Sequence, residues 1–200
     1  MIIIGGRFLQ TDELRNGGLK LCGENVTVHE TCQLVGAENI EIGNNVRIDP
    51  YCIISAASGS VRLGSNIHLG ARCYLAGTGG IELHDFSGLS QEVRIYSISD
   101  DFLGGGLTNP TIPKKFLNVR VGKVTLGRHV VVGSGSVIFP GVHVGDGAVV
   151  GTMSVVKHSL DPWGIYAGIP ARKIKNRRRD VIERYEQEFL SEQDYLSEHA

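Results

Sequence analysis

Three groups of residues in this 200-residue chain are of types that do chemistry. Asp100 and Asp101 are adjacent carboxylates, followed by Gly104-Gly105-Gly106 and Lys114-Lys115. A carboxylate can take a proton, accept hydrogen bonds from hydroxyl groups or pair with an ammonium. At its ordinary pKa of about 4 it is a weak base, unless burial or a like-charged neighbour raises that value. His84 is a second candidate base. The third group is a run of cations, Arg172, Lys173, Lys175, Arg177, Arg178 and Arg179, which suits an anion carrying several phosphates. The run lacks interleaved aromatics and adjoins an acidic tail, which argues against nucleic acid. A net charge of −1 gives no global field toward nucleic acid or anionic lipid.

These groups need a scaffold, and the stretch from Leu126 to Val156 defines it. Leu126, Val132, Ile138, Val144, Val150 and Val156 recur every six residues without a slip. Small or branched residues, Val130, Ser136, Val142, Ala148 and Ser154, follow four positions after each of the first five. A helix would rotate each aliphatic away from the last, so no single buried stripe could form. Short strands joined by bends, coiling so that equivalent positions stack, satisfy the pattern; this is an all-β solenoid. The same ladder predicts earlier coils beginning at Cys22, Ile42, Leu63 and Leu83. Twenty-seven glycines with only 6% aromatics suit tight bends around a narrow interior.

The repeat divides the chain into an N-terminal cap (1–21), a β-helix (22–170) interrupted by a loop (97–122), and a basic segment with a C-terminal helix (171–200). A long aperiodic insertion in an economical solenoid points to a role. From Asp180 onward Ile182, Tyr185, Phe189 and Leu196 fall near one helical face. Cys32, Cys52 and Cys73 occupy the same place in successive coils and read, with Cys22, as free thiols rather than bridges. His68, His129 and His143 read as surface residues that do not stack into a ligand set, and no metal is expected. The apolar opening Met1–Gly6 is too short for a secretory signal or a membrane span, which predicts a cytoplasmic protein.

With these residues assembled, the chain resembles the hexapeptide-repeat acyltransferases, in the branch of galactoside, maltose, xenobiotic and surface-polysaccharide sugar acetyltransferases. The resemblance spans Cys22 to Lys175. It is carried by Val132-Gly133-Ser134-Gly135-Ser136-Val137-Ile138-Phe139-Pro140-Gly141-Val142, Val150-Gly151-Thr152-Met153-Ser154-Val155-Val156 and Ala167-Gly168-Ile169-Pro170-Ala171. Asp85-Phe86-Ser87-Gly88-Leu89-Ser90 and Ser99-Asp100-Asp101-Phe102 resemble the polysaccharide subgroup. The resemblance implies a left-handed parallel β-helix with an excursion loop and a C-terminal helix. It also implies a homotrimer with acetyl-CoA in the groove between subunits and intersubunit active sites. Matching positions imply coenzyme contacts at Ser134, Thr152, Lys157, His158, Arg172 and Lys175.

One departure matters. Where the family commonly has a catalytic histidine, the aligned position is Asp100. A weak base is a smaller handicap for an amine than for a hydroxyl, because a neutral amine attacks a thioester unaided. The expectation is therefore acetyl transfer to a sugar, in the first place a nucleotide-linked amino sugar for surface polysaccharide. Transfer to a saccharide hydroxyl and a non-catalytic trimeric scaffold stay open. A γ-type carbonic anhydrase would need three histidines around a metal.

Overall fold

In the computed structural model, which describes residues 6–198, the hexads wind into stacked coils with three sheet faces. Met1–Gly5, most of the apolar opening, lies outside the described residues. The stacking register follows the ladder read from sequence. Cys22, Ile42, Leu63, Leu83, Leu126 and Val144 lie opposite one another in turn on parallel strands of one six-stranded face. On the second six-stranded face the column is Leu34, Ile54, Leu75, Ile95, Ile138 and Val156. The nine-stranded face stacks Val28, Ile48, Leu69, Leu89, Val132 and Val150. Ile48, Ile54, Leu69, Leu75 and Leu126 are completely buried, so each coil covers the apolar edge of the one before it.

Between these aliphatics runs a narrower column. Cys52, Cys73, Ser136 and Ser154 are buried, and Cys32 partly so. Each thiol of the three donates to a carbonyl one coil on: Cys32 to Asp49, Cys52 to Gly70 and Cys73 to Ser90, at 3.1–3.2 Å. Ser136 Oγ repeats the contact to the Gly151 carbonyl at 2.9 Å. The cysteines are thus free and act as small donors in a crowded corner.

Another corner needs a left-handed residue in every coil. Asn25, Asn45 and Asn66 take φ of 54°, 56° and 58°, and their amides bond to one another at 3.1 and 3.2 Å. Asparagine tolerates that region better than other side chains. In the next coils the same conformation falls on Phe86 (φ 60°) and His129 (φ 58°), and there the C-terminal helix α2 (Arg179–Glu198) docks.

At the N-terminal end, Phe8–Leu9 pairs antiparallel with Thr27–His29, and α1 (Thr11–Asn16) lays Leu14 on the core. The Glu13 side chain caps α1 by accepting the Gln10 amide at 3.0 Å. At the other end the basic segment does not lie outside the sheet. Arg172–Asn176 forms the last strand of the nine-stranded face, antiparallel to Gly164–Ala167, because the chain reverses at Gly168–Ala171 and the edge would otherwise be unpaired.

Candidate active site

The predicted loop is a built structure. Its stem leaves the coils at Ser97, whose buried hydroxyl donates to Ala76 O at 2.6 Å and accepts the Gly79 amide at 2.8 Å. Ile98–Ser99 then pairs antiparallel with Arg120–Val121, and farther out Leu107 meets Leu117. Between loop and coils lies a cavity of about 1020 Å³. Tyr74, Tyr96 and Phe139 line its coil side, and Asp100, Phe102 and Lys114 its loop side. The rings of Tyr74 and Tyr96, on adjacent coils, stand 5.7 Å apart at 52°. Sequence reading missed this aromatic wall. Its signal was present, since tyrosine twice takes a strand position beside the buried aliphatic, Tyr74 between Ile53 and Arg94 and Tyr96 opposite Ala76 on the neighbouring coils.

The candidate residues separate in space. Asp100 faces the cavity. Asp101 is engaged elsewhere: its carboxylate accepts the amides of Leu103 at 2.9 Å and Gly105 at 2.5 Å and the Asn118 amide at 3.2 Å. Those three donors hold it below the usual carboxylate range, the two backbone amides contributing most. So engaged, the Asp101 carboxylate serves as a hydrogen-bond acceptor within the loop. His84 lies at a corner where neighbouring coils have Gly64 and Gly127; its backbone amide donates to Leu126 O as those of Gly64 and Gly127 do to Leu83 O and Val144 O. Its ring is half-exposed, 3.6 Å from Glu82, and does not line the cavity. Outward from that face run paired charges, Lys20 with Glu41 at 2.7 Å and Lys123 with Glu82 at 2.5 Å, bridged by Arg62.

Of the expected coenzyme residues, Lys157, His158 and Arg172 line a second depression of about 180 Å³ with Lys173 and Ser159. Ser134 and Thr152 stack on the corner beside it: Ser134 Oγ donates to Gln91 at 3.1 Å, and Ser134 O receives the Met153 amide at 2.8 Å. Lys175 is not with them; it opposes Ile165 in the terminal strand pair. The run of six cations also divides. Arg177 turns inward, donating to His129 O at 2.6 Å and Gly147 O at 3.1 Å, and its burial lowers its pKa. Arg178 pairs with Asp180 and Arg179 with Glu183, while Arg179 lies 5.5 Å from the Trp163 ring. Three cations, Arg172, Lys173 and Lys175, stay exposed on the strand.

His129 corrects the surface reading. Its ring is 12% exposed, stacked 5.0 Å from Phe86, with Nε2 2.8 Å from Glu186 of α2. The corner column that carries asparagine earlier in the chain turns its side chain under the helix instead. His68 keeps to the surface reading, half-exposed and 2.8 Å from Asp49.

Among the described residues no group of three His, Cys, Asp or Glu could hold a metal ion, and no helix is long and apolar enough to cross a membrane.

No family profile matches the chain. It is, however, 35% identical over 176 residues to the dTDP-4-amino-4,6-dideoxy-D-glucose acyltransferase of Escherichia coli, covering 88% of this chain and 92% of that one. The chain belongs to the hexapeptide-repeat sugar acyltransferases. It is an enzyme of acyl transfer, and its solenoid is the left-handed parallel β-helix of that family. A crystal structure of AntD, an N-acyltransferase from Bacillus cereus, in complex with dTDP and 3-hydroxybutyryl-CoA, superposes with a TM-score of 0.89 at 44% identity. That match covers 94% of this chain and 99% of AntD. WbbJ of Escherichia coli K12, named for O-acetyl transfer in lipopolysaccharide biosynthesis, is 27% identical over 170 residues, 84% of this chain and 77% of its own length.

Proposed function

We propose that this acyltransferase moves an acyl group from an acyl-CoA to the amine of a nucleotide-linked amino sugar, with Asp100 at the acceptor. The observation that carries the reading is a free-standing carboxylate, where the family commonly has histidine, on the wall of an aromatic cavity large enough for a nucleotide sugar. The similarity to AntD and to the Escherichia coli amino-sugar acyltransferase supports the same acceptor class.

In the reaction the neutral amine attacks the thioester carbonyl, a C–N bond forms and the C–S bond breaks. The proton lost by nitrogen ends on the thiol. Asp100 accepts a hydrogen bond from the attacking nitrogen and stabilises its developing positive charge; it need not be a strong base. Structures of AntD have been determined with substitutions at a serine and at an aspartate. Ser90 and Asp100 stand at the same sequence separation here, and Ser90 lies half-buried at the end of its coil strand. We assign Ser90 to the same site. The sequence reading quoted Ser90 within the subgroup motif but gave it no role at the site, because a lone serine in a corner carries no spacing signal of its own.

The exposed cations Arg172 and Lys173, with Lys157 and His158, take the phosphates of the coenzyme, whose arm runs over the Ser134 and Thr152 corner. The assembly is a homotrimer. In support, one face carries charges already paired within the chain, whereas the nine-stranded face carries the exposed Val131 and the corner after it the exposed Met153. The role in surface polysaccharide synthesis is supported by the likeness to WbbJ.

Mass-detected transfer from acetyl-CoA and 3-hydroxybutyryl-CoA to nucleotide-linked amino sugars and matched hydroxyl sugars tests the acceptor. Product confined to the amines is expected. Product with hydroxyl sugars alone would overturn the amine reading, and absence of transfer with bound CoA would favour a scaffold.

A further inference from the structure

Asp100 and Asp101 are neighbours in sequence, yet only one of them is free. The hydrogen bond of Asp100 among the described residues goes through its backbone carbonyl, which receives Ser99 Oγ at 3.1 Å. Asp101 instead gathers two amides of the outgoing arm, at Leu103 and Gly105, and the side-chain amide of Asn118 on the returning arm. One carboxylate therefore ties both arms of the loop together.

The three successive glycines fit that knot, each for its own reason. Gly104 has φ of +83°, which L side chains rarely adopt. A Cβ on Gly105 would sit 2.7 Å from Asn118 Nδ2 and 2.8 Å from Asp101 Oδ2, inside the contact itself. On Gly106 it would meet the Asn118 backbone nitrogen at 2.7 Å. Within the span that the carboxylate closes, Phe102 lines the cavity while remaining 83% exposed, and Leu103 is 97% exposed. The chain between a fixed stem at Ser99–Arg120 and a fixed knot at Asp101–Asn118 is one residue long on the outgoing side, and that residue is Asp100.

We propose that Asp101 is a positioning residue: its carboxylate, Asn118 and Gly105 form a latch that holds Asp100 and Phe102 at the acceptor cavity before substrate arrives. Asp101 takes no part in proton transfer. Because the latch is preformed, binding does not have to order this part of the loop, and the gain appears as acceptor affinity. Only the kinetic consequence rests on the acyl-transfer reading above; the latch is a property of the free protein.

The test uses the full chain with Asp101→Ala, Asn118→Ala and Gly105→Ala, and Asp101→Asn as the conservative partner. Amide exchange without substrate should accelerate at Leu103 and Gly105 in all three disruptive variants. Each should raise acceptor KM about tenfold to a hundredfold while leaving donor KM within about twofold, the scale expected for loss of orientation. Asp101→Asn, which keeps an acceptor oxygen, should recover part of the acceptor KM. The pH–rate profile should keep its position throughout. A fall in kcat for Asp101→Ala with acceptor KM unchanged, and Asn118→Ala and Gly105→Ala kinetically silent, would make Asp101 a reacting group and overturn the proposal. If no acceptor is turned over even by the unaltered protein, the functional reading fails, and exchange alone decides the latch. Unchanged exchange at Leu103 and Gly105 in Asp101→Ala would then sink it.

Discussion

The coils and the excursion loop of this protein solve opposite problems. A coil residue such as Leu75 is fixed by equivalents of itself, Ile54 on one side and Ile95 on the other, in strands that pair in the same register from coil to coil. The loop has no neighbour to copy, so its shape comes from particular contacts, a two-residue ladder and one carboxylate with three donors. Repetition gives stability that many residues share. Particular contacts give a geometry that a few residues carry. Substitutions should therefore divide, with coil variants losing stability and loop variants losing acceptor handling.

The largest effect is expected in the core. Leu75→Ala should lower unfolding free energy by about 2–5 kcal/mol, since the rigid neighbours on either side cannot close the cavity it leaves. Thermal or denaturant unfolding of the purified protein reads this directly. The surviving folded fraction should keep an unaltered acceptor KM; a changed KM with stability intact would erase the proposed division.

Asp100→Ala should do the reverse. With the melting temperature held within a degree or two, kcat/KM for the amino-sugar acceptor should fall about 10- to 150-fold, the factor carried by a charge-assisted hydrogen bond of roughly 1.5–3 kcal/mol. Coenzyme affinity should hold. Unchanged steady-state kinetics would remove Asp100 from the mechanism. On the coil side of the site, Arg172→Ala should weaken CoA about three- to tenfold, and dephospho-CoA less, because an exposed cation on one phosphate is worth about a kcal/mol. Equal losses measured by calorimetry would place Arg172 away from the ribose phosphate.

The same division governed what could be read in the sequence. Every aliphatic of the ladder, from Cys22 through Val156, landed in the column its spacing assigned, because a six-residue period leaves only one register. Asp100 could be located by aligning its strand with the family pattern, whereas the aromatic wall emerges only when Tyr74 and Tyr96 are stacked across two coils in the ladder's register. Asp101 looked equivalent to Asp100 because adjacency in sequence says nothing about which arm of a loop a side chain turns to. The basic run looked like one patch for a related reason. Its alternation along a strand and then a helix end sends Arg177 inward to His129 O and Gly147 O, which no charge count reveals.

The corner of left-handed residues is where the two modes meet, and it yields the smallest and sharpest prediction. Asn25, Asn45 and Asn66 continue the repetition; Phe86 and His129 replace it with particular contacts to α2, where Glu186 pairs with Arg128 and His129 and Phe189 lies edge-on to Phe86. Burial alone would raise the Glu186 carboxyl, but hydrogen bonds from His129 and Arg128 outweigh it and hold the pKa below its ordinary value. A carboxylate lowered on folding stabilises fully above its unfolded pKa of about 4.3, and that contribution disappears as pH falls through the lower folded value. The helix should therefore stay docked through neutral and mildly acidic pH and loosen below about pH 4. Trp163, the one tryptophan, lies 6.4 Å from the His129 ring and reports the event by fluorescence. Glu186→Gln should cost about 1 kcal/mol at neutral pH, discounted for partial solvent screening, and should abolish the acid step while leaving the coils' own unfolding in place. An acid step that persists in Glu186→Gln would mean that the helix is held by Phe86, Phe189 and the rest of its apolar face, and that the charged corner is incidental.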